Sequence, residues 1–222
     1  MIRTAALALV VAVLWSPAFA QDSGAPPANL VTGAGSHDAG KLDPLFTKFK
    51  VERMTTKFSE EKHVALLAKP LVSTGTIYFD RDKGIARIQA TPKPQKVVLT
   101  KTTLRITKGD KVEDIPLDKS KDLQAFALIF PTLLRGERAE LEKTFDIALY
   151  GSDADWWAVT FAPKTDSLKK LVKRVVVFGH KADVVSLQIA EASGDTTDTK
   201  LTQISRNGDV KDAEIATAFG AK

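Results

Sequence analysis

The run Glu60-Glu61-Lys62-His63 offers two carboxylates and an imidazole, groups that commonly move protons in enzymes. It lies in a segment with the alternation of a β-strand, and successive side chains of a strand point to opposite faces. Glu60 and Glu61 therefore face different sides and cannot share a proton at one site. We interpret the run as the solvated end of a strand.

No other combination of residues indicates catalysis. The remaining histidines, His37 and His180, fall in an N-terminal leader and in a turn. The sequence has no cysteine, which excludes thiolate metal sites and a thiol nucleophile, and it has no HExxH, EF-hand, Walker or nucleophile-elbow pattern. In a strand, Trp156 is expected to be partly exposed and Trp157 to lie in the core, so the two rings form no common stacking platform. The sequence predicts no enzyme, no metal site and no cofactor.

Residues 75–81, GTIYFDR, place an arginine in register with an apolar face. In a strand, Ile77 and Phe79 point to one side, and Arg81 follows with the same parity. Two interpretations are open. Either the guanidinium donates to backbone carbonyls of a neighbouring element, for which its five donors suit it, or the strand has ended and the charge reaches into water.

Most of the chain consists of short strand-like segments separated by turns of hairpin length. This pattern predicts an antiparallel meander of about ten to eleven strands that closes wholly or partly into a barrel. The last segment is polar on both faces and is interpreted as an exposed edge strand. The segments are 55–60, 75–81, 85–89, 97–99, 104–106, 145–149, 157–161, 173–178, 185–189 and 196–204.

Two helical regions complete an α+β fold. The first is expected to begin at Asp43-Pro44, and its apolar face consists of Leu42, Leu45, Phe46 and Phe49. The second, 123–134, reads LQAFALIFPTLL and is apolar on all sides, so it has to be covered by protein, most simply on the concave face of the sheet. Ser120 is expected to cap this helix, Pro131 to break it and Gly136 to end it.

The first twenty residues have the three parts of an export signal. Arg3 is followed by an apolar run over 5–15 and by the signal-peptidase pattern Ala18-Phe19-Ala20. We expect cleavage after Ala20 and a periplasmic protein. Gln21 stands where a cysteine would direct lipid attachment, so the mature chain is expected to be soluble.

The mature chain is expected to comprise a flexible leader, 21–40, rich in Ala, Gly, Pro and Ser, and one domain, 41–222. The net charge of the full sequence is +5. Export argues against nucleic acid as the partner of this charge, and single lysines are spread through polar positions. We interpret them as a solvated surface that can also attract anionic lipid headgroups or an acidic partner. A monomer is expected.

A half-open sheet and an apolar broken helix together provide more apolar surface than one layer needs. Such surface forms either a cavity for apolar ligands or an ordinary packed core, and the pattern leaves both open. If the cavity exists, nine side chains are expected to line it: Phe58, Ile77, Phe79, Leu99, Phe126, Phe130, Leu134, Phe145 and Trp157.

The sequence resembles the LolA family over about 42–204. The resemblance is carried by the run FSEEKHVALLAKPLVSTGTIYF at 58–79, the segment DRDKGIARIQATPKP that follows it, and paired hydrophobic helices before a strand with Trp156-Trp157. It implies an incomplete β-barrel with a helical lid over an apolar cavity that receives acyl chains. In the family, a strand-end arginine hydrogen-bonds to the lid and keeps it shut, and Arg81 occupies that place. Asp82 stands where the family has proline, so the local turn is expected to differ.

The resemblance implies a carrier that takes the acyl chains of lipoproteins, or of a related lipid, from the inner to the outer membrane. Its partners would be an inner-membrane release complex and an outer-membrane acceptor. Two alternatives stay open: a periplasmic module on the same fold that senses a lipid or lipoprotein, and an acyl hydrolase, for which no nucleophile and base can be paired.

Overall fold

The computed structural model describes residues 25–152, 155–181 and 183–220, so the predicted signal peptide, 1–20, lies outside the described residues. The strands are β1 (Arg53–His63), β2 (Leu71–Asp80), β3 (Gly84–Thr91), β4 (Gln95–Leu99), β5 (Thr103–Lys108), β6 (Lys111–Pro116), β7 (Phe145–Gly151), β8 (Trp156–Pro163), β9 (Val172–His180), β10 (Asp183–Glu191) and β11 (Thr196–Arg206). The helices are α1 (Ala39–Phe49), α2 (Lys121–Ala127), α3 (Ile129–Leu134), α4 (Arg138–Glu142), α5 (Asp166–Lys169) and α6 (Asp212–Phe219). None of these helices is long and apolar enough to cross a membrane.

The eleven strands of the described chain form one antiparallel sheet in the order β6-β5-β4-β3-β2-β1-β11-β10-β9-β8-β7. Its edges, β6 and β7, are not paired with each other, so the sheet is not closed into a barrel. This confirms the predicted α+β class and the incomplete barrel. The sequence did not indicate β6, because this segment is rich in charged residues and ends in a proline. Almost all of its residues are exposed, and charges and proline are typical of an edge strand that is protected against pairing with other chains.

The interpretation of β11 as an exposed edge is wrong. β11 lies in the interior of the sheet, between β1 and β10. Its polar residues Thr197 and Thr199 are buried, and their register partners on β1 are Lys62 and Glu60. The polar residues of β11 therefore belong to a polar region inside the sheet, and β11 is not a free edge strand.

Helix α1 begins earlier than predicted. Asp38 caps it by accepting a hydrogen bond from the backbone N of Gly40 at Oδ1 (2.8 Å), and Pro44 lies inside the helix. The apolar face is confirmed, because Leu42, Leu45, Phe46 and Phe49 are all buried. The ring of Phe49 lies 5.1 Å from the ring of Trp157, so α1 packs on the face of the sheet that we call the inner face.

The opposite, outer face is covered in part, by segments from both ends of the chain. Residues 25–38, part of the predicted leader, take part in the fold: Ser36 pairs with Leu149 of β7, with backbone N···O distances of 2.7 and 2.8 Å. Leu30 and Val31 pack against a buried cluster on β8 and β9. At the other end of the sheet, α6 lies against β2 and β3. The sheet thus has protein on both sides.

Trp157 is the central side chain of the inner face. Its side chain is fully buried, and its Nε1 donates to the backbone O of Lys181 (2.9 Å). The ring lies directly over its register partner Gly179, where a Cβ would meet Cζ2 at only 1.8 Å. The expected burial of Trp157 and partial exposure of Trp156 are both found. Position 179 of β9 is occupied by glycine because any side chain there would overlap the indole ring of Trp157.

We expect Gly179→Ala to lower the free energy of unfolding by about 1–3 kcal/mol, the usual cost of overpacking a core. Chemical denaturation followed by tryptophan fluorescence would measure it. Gly208→Ala is the matched control, since a Cβ there meets nothing within 4 Å. Equal stability of the two variants would contradict the packing of Trp157 on Gly179.

Candidate functional site

The segment predicted as one broken helix forms α2 and α3, which together we call the lid. Ser120 caps α2, its Oγ accepting from the backbone N of Leu123 (3.2 Å). The helix ends at Ala127, and Pro131 falls in the first turn of α3. In one continuous helix the proline ring would clash with the carbonyl of Ala127, whereas the first turn of a new helix needs no N–H there. The predicted break is confirmed.

The two halves of the lid differ in burial. Five of the six residues of α3 are buried: Ile129, Pro131, Thr132, Leu133 and Leu134. Helix α2 has no buried residue, although Ala125 and Phe126 pack partly against the main apolar cluster of the inner face. Both helices are therefore covered on most of their surface, as expected, but α3 is covered more completely than α2. The apolar side chains of α2, including Phe126, stay partly accessible, and a ligand or partner can use such a surface.

Two polar contacts join α2 to its neighbours on either side. The Nε2 of Gln124 donates to the backbone O of Lys101 in the β4–β5 turn (2.9 Å). The hydroxyl of Thr165, the residue that caps α5, donates to Oδ1 of Asp122 (3.1 Å). Each hydrogen bond of this kind contributes about 0.5–1.5 kcal/mol. The contacts that hold α2 in place are thus weaker than those that hold the buried helix α3.

The C-terminal end of the lid is fixed to the end of the sheet. The carbonyl of Leu134 accepts from the backbone N of Val51 (3.1 Å). Arg135, only 6% exposed, donates from Nε to the backbone O of Arg81 (3.3 Å). Gly136 follows with a φ of 70°, a left-handed conformation that favours glycine. Its predicted place just past the helix is confirmed.

Arg81, the predicted latch, lies beyond the strand. β2 ends at Asp80, and the Arg81 guanidinium donates to Oε1 of Glu52 (3.1 Å). Among the hydrogen bonds of the described residues, none runs from this guanidinium to the lid. The bond that joins the two elements runs the other way, from Arg135 of the lid end to the carbonyl of Arg81. Sequence reasoning missed Arg135, although a cation next to a helix-ending glycine is a recognisable signal.

The side chain of Arg81 faces a cleft of about 720 Å³ at this end of the sheet. Its lining is largely charged and includes Glu52, Arg53, Asp80 and Asp212. Arg53 forms ion pairs with Asp80 (3.3 Å) and with Asp212. This cleft is therefore a polar surface feature, unlike the apolar cavity that the sequence predicts.

The nine predicted cavity residues divide between two buried clusters. The main cluster contains Phe58, Ile77, Phe145 and Trp157, with Phe126 and Phe130 packed against it. A second cluster contains Phe79 and Leu134, and Phe130 also packs against this one. Leu99 is buried but belongs to neither cluster. Phe130, a partly buried residue of the lid, thus connects the two clusters. Because the side chains of both clusters pack against one another, the apolar cavity stays a prediction.

The ring of Phe58 is enclosed on two sides. On one side lies Gly75, its register partner on β2, where a Cβ would meet the Phe58 ring at 2.7 Å. On the other lies the guanidinium of Arg87, 4.2 Å from the ring centroid in a cation–π contact. A ligand can therefore reach the ring face that Arg87 covers only if Arg87 moves.

Arg87 belongs to a polar band across the inner face: Glu60, Lys62, Ser73, Arg87, Gln89 and Thr199. The Arg87 guanidinium donates to Glu60 (2.9 Å), to Ser73 (3.0 Å) and to Gln89 (3.0 Å). Burial lowers the pKa of Arg87, and the charge of Glu60 partly offsets this effect. The band is thus an internally paired ionic cluster.

The interpretation of 60–63 as a solvated strand end is wrong for two of its residues. Glu60 and Lys62 are buried, and Lys62 pairs with Glu191 at 2.5 Å. Glu61 and His63 lie on the opposite face with more than half of each side chain exposed. The predicted separation of the two carboxylates is confirmed. Within the described residues, no group of three or more His, Asp or Glu side chains could hold a metal ion.

The family model described as "Outer membrane lipoprotein carrier protein LolA-like" matches residues 34–221. The chain belongs to the LolA-like family. No curated protein matches the sequence. Matching solved structures include a LolA superfamily protein from Nitrosomonas europaea, with 8% identity, a TM-score of 0.45, and coverage of 80% of this chain and 97% of that one. The MucA/MucB complex of Pseudomonas aeruginosa matches with 13% identity, a TM-score of 0.44, and coverage of 79% of this chain and 59% of that one. LprF from Mycobacterium bovis matches with 10% identity, a TM-score of 0.33, and coverage of 81% of this chain and 99% of that one.

The turn after β2, where the local structure was expected to differ at Asp82, is held by the side chain of Asp80. Oδ1 of Asp80 accepts hydrogen bonds from the backbone N of Asp82 and of Lys83, both at 3.1 Å. Proline at position 82 would have no N–H to donate. The carboxylate of Asp80 thus shapes this turn through an N–H that a proline at position 82 would lack.

We expect the double variant Asp122→Ala/Gln124→Ala to open α2 without releasing α3. Loss of two hydrogen bonds should raise the local opening equilibrium of α2 by about ten- to a hundredfold. Amide hydrogen exchange, read separately over α2 and α3, would measure this change, and Lys121→Ala on the same helix is the control. Equal acceleration in both helices would show that the lid moves as one unit.

Proposed function

We propose that the protein is a non-enzymatic periplasmic carrier, which binds the acyl chains of lipoproteins or of a related lipid and moves them from the inner to the outer membrane. Membership of a family described by outer-membrane lipoprotein carriage supports this role. The observation that carries the proposal is the placement of α2. This helix has no buried residue, its apolar side chains pack partly against the main apolar cluster, and two side-chain hydrogen bonds join it to its neighbours.

Acyl chains would bind where α2 and the ring of Phe130 now lie, against the inner face of the sheet. Phe126 and Phe130 are partly buried, and because they lie on the lid they can leave the clusters without unfolding a strand. The other proposed lining residues, Phe58, Ile77, Phe79, Leu99, Leu134, Phe145 and Trp157, are buried and would stay in place. Helix α3 would remain seated because Val51 and Arg135 tie its end to the sheet.

A carrier must release what it binds, so its affinity for acyl chains has to be limited. We propose that the lid limits it, because the lid has to be displaced before the chains can bind. Burial of each methylene contributes about 0.8 kcal/mol. Several long chains would together exceed the roughly 20 kcal/mol limit of reversible binding. In the closed state, Phe126 and Phe130 already bury part of the same surface, so their displacement offsets part of the gain from the chains.

The proposed route runs from an inner-membrane release complex to an outer-membrane acceptor. The export signal supports a periplasmic location, and we propose a monomer that binds no nucleic acid. The net charge of +5 favours contact with anionic lipid headgroups at either membrane.

We expect a hydrophobic fluorophore such as N-phenylnaphthylamine to bind saturably to the purified protein and to be displaced by a diacylated peptide. The fluorophore would take the place of the lid side chains on the inner face. Fluorescence titration would measure the stoichiometry, expected near one, and the non-acylated peptide is the control. Absence of saturable binding would remove the carrier proposal.

Phe130→Asp is expected to weaken this binding at least about tenfold, because a charge next to the acyl chains would be desolvated. The sheet should stay folded because Phe130 is only partly buried and lies on the lid and not on a strand. Far-UV circular dichroism checks the fold, and Val112→Asp on the exposed strand β6 is the matched control. Global unfolding of Phe130→Asp would instead assign this residue to the structural core.

The latch expected at Arg81 is proposed to operate through both arginines, with the Arg81 carbonyl as acceptor and the Arg135 guanidinium as donor. The observed bond between them supports this arrangement. Arg135→Leu removes a bond from a charged donor, worth about 1.5–3 kcal/mol. Arg81→Leu keeps the backbone carbonyl and removes only a half-exposed ion pair with Glu52, which contributes about 1 kcal/mol or less.

We expect Arg135→Leu to slow hand-over of bound cargo to acceptor membranes roughly tenfold or more, because the closed state competes less well with cargo. Arg81→Leu should transfer near the wild-type rate. A vesicle transfer assay with fluorescent diacylated peptide would measure both, after thermal unfolding confirms that both variants fold. Slow transfer by Arg81→Leu alone would identify its guanidinium as the latch.

A further inference from the structure

The apolar part of the inner face ends abruptly along β1, β2 and β3. Inward-facing residues of β1 change from Met54 and Phe58 to Glu60 and Lys62. On β2, the same face changes from Phe79 and Ile77 to Gly75 and Ser73, and β3 changes from Ile85 to Arg87 and Gln89. By register, Glu60 lies beside Ser73 whereas Arg87 lies beside Ile77, so the polar band crosses the strands diagonally and the Arg87 side chain spans the offset to reach Glu60.

The polar band is fixed in position by contacts among its own members. The guanidinium of Arg87 is bound to one acceptor on β1, one on β2 and one on β3. The second carboxylate oxygen of Glu60 accepts from the hydroxyl of Thr199 on β11 (3.0 Å). Four adjacent strands are thus linked, and at about 4.8 Å per strand the band is roughly 14 Å wide.

The space that Phe130 would vacate lies on the apolar surface that includes Met54 and Phe79, on the same face of β1 and β2 as this band. Phe130 packs against the cluster of Met54 and Phe79 and against the cluster that contains Phe58. A chain that replaces it along β1 and β2 runs from the level of Phe79 to that of Phe58, where Arg87 covers the ring. Further apolar burial in that direction would require the buried ion pair to move.

We propose that the Glu60–Arg87 pair limits the length of acyl chain that the protein binds, by stopping the methyl end of the chain at Phe58. This inference rests on the proposed function. The alternative, that the band recognises a polar headgroup, is disfavoured because its donors and acceptors are already paired: Arg87 with three acceptors, Glu60 through both oxygens and Lys62 with Glu191.

The test uses Glu60→Leu/Arg87→Met, which removes both charges together. Replacement of a buried ion pair by apolar residues of similar volume is often neutral for stability, whereas removal of one partner leaves an unpaired buried charge. The matched control is Arg105→Met/Asp114→Leu, which removes an exposed ion pair between β5 and β6. Near-UV circular dichroism confirms that each variant is folded.

Affinities for saturated fatty acids from octanoate to arachidate would be measured by displacement of N-phenylnaphthylamine. For the wild type and the control, affinity is expected to rise about fourfold per methylene up to a limiting length and then level off. For Glu60→Leu/Arg87→Met, the rise should continue to longer chains. An unchanged limit in the folded variant overturns the inference, whereas absence of binding by the wild type overturns the proposed function instead.

Two further measurements keep the inference falsifiable. Fatty acids would be compared with their methyl esters, and a preference shown by the wild type but lost in the double variant would assign the band to headgroup recognition and overturn the length limit. If the double variant does not fold, Ile77→Phe provides the second arm. The larger ring beside Arg87 should move the limit to shorter chains, and an unchanged limit would again overturn the inference.

Discussion

The antiparallel pairing of β1 with β11 is the interaction on which the rest of the structure depends. It joins the first strand to the last, so that the strands β2 to β6 and the strands β7 to β10 become one sheet. Phe58 of β1 and Leu201 of β11 are register partners, and both lie in the main apolar cluster. Without this pairing, two separate meanders would each expose an apolar face, and the short helices could not cover both.

The sequence predicted local structure well because local structure depends on local alternation. Ten of the eleven strands and the break of the lid at Pro131 were indicated by period and by proline chemistry. Sequence reasoning failed where burial depends on distant partners. Glu60 is bound to Thr199, 139 residues away, and Lys62 to Glu191, 129 residues away. A polar strand that is paired inside a sheet has the same pattern as a polar strand in water, so alternation alone could not distinguish them.

The apolar packing of the proposed lining residues was predictable, but the contacts between the sheet and the lid were not. Eight of the nine predicted lining residues belong to or pack against the two apolar clusters, because apolar parity on strands and helices is a local property. The link between sheet and lid was not predictable in the same way. It uses the backbone carbonyl of Arg81, an atom that every residue has, and a donor, Arg135, 54 residues away. The identity of residue 81 therefore says less about the lid than the position of its backbone.

Helix α2 and the polar band differ in how firmly the structure fixes them. Helix α2 has no buried residue, and a segment with few buried apolar contacts opens at low free energy. The polar band is the opposite, since several charged groups are buried and hydrogen-bonded to one another across four strands. A buried ion pair contributes little net stability compared with an apolar pair of the same volume. The stability of the sheet thus gives little reason for the Glu60–Arg87 pair, and its location at the end of the apolar surface favours a role in defining what that surface can bind.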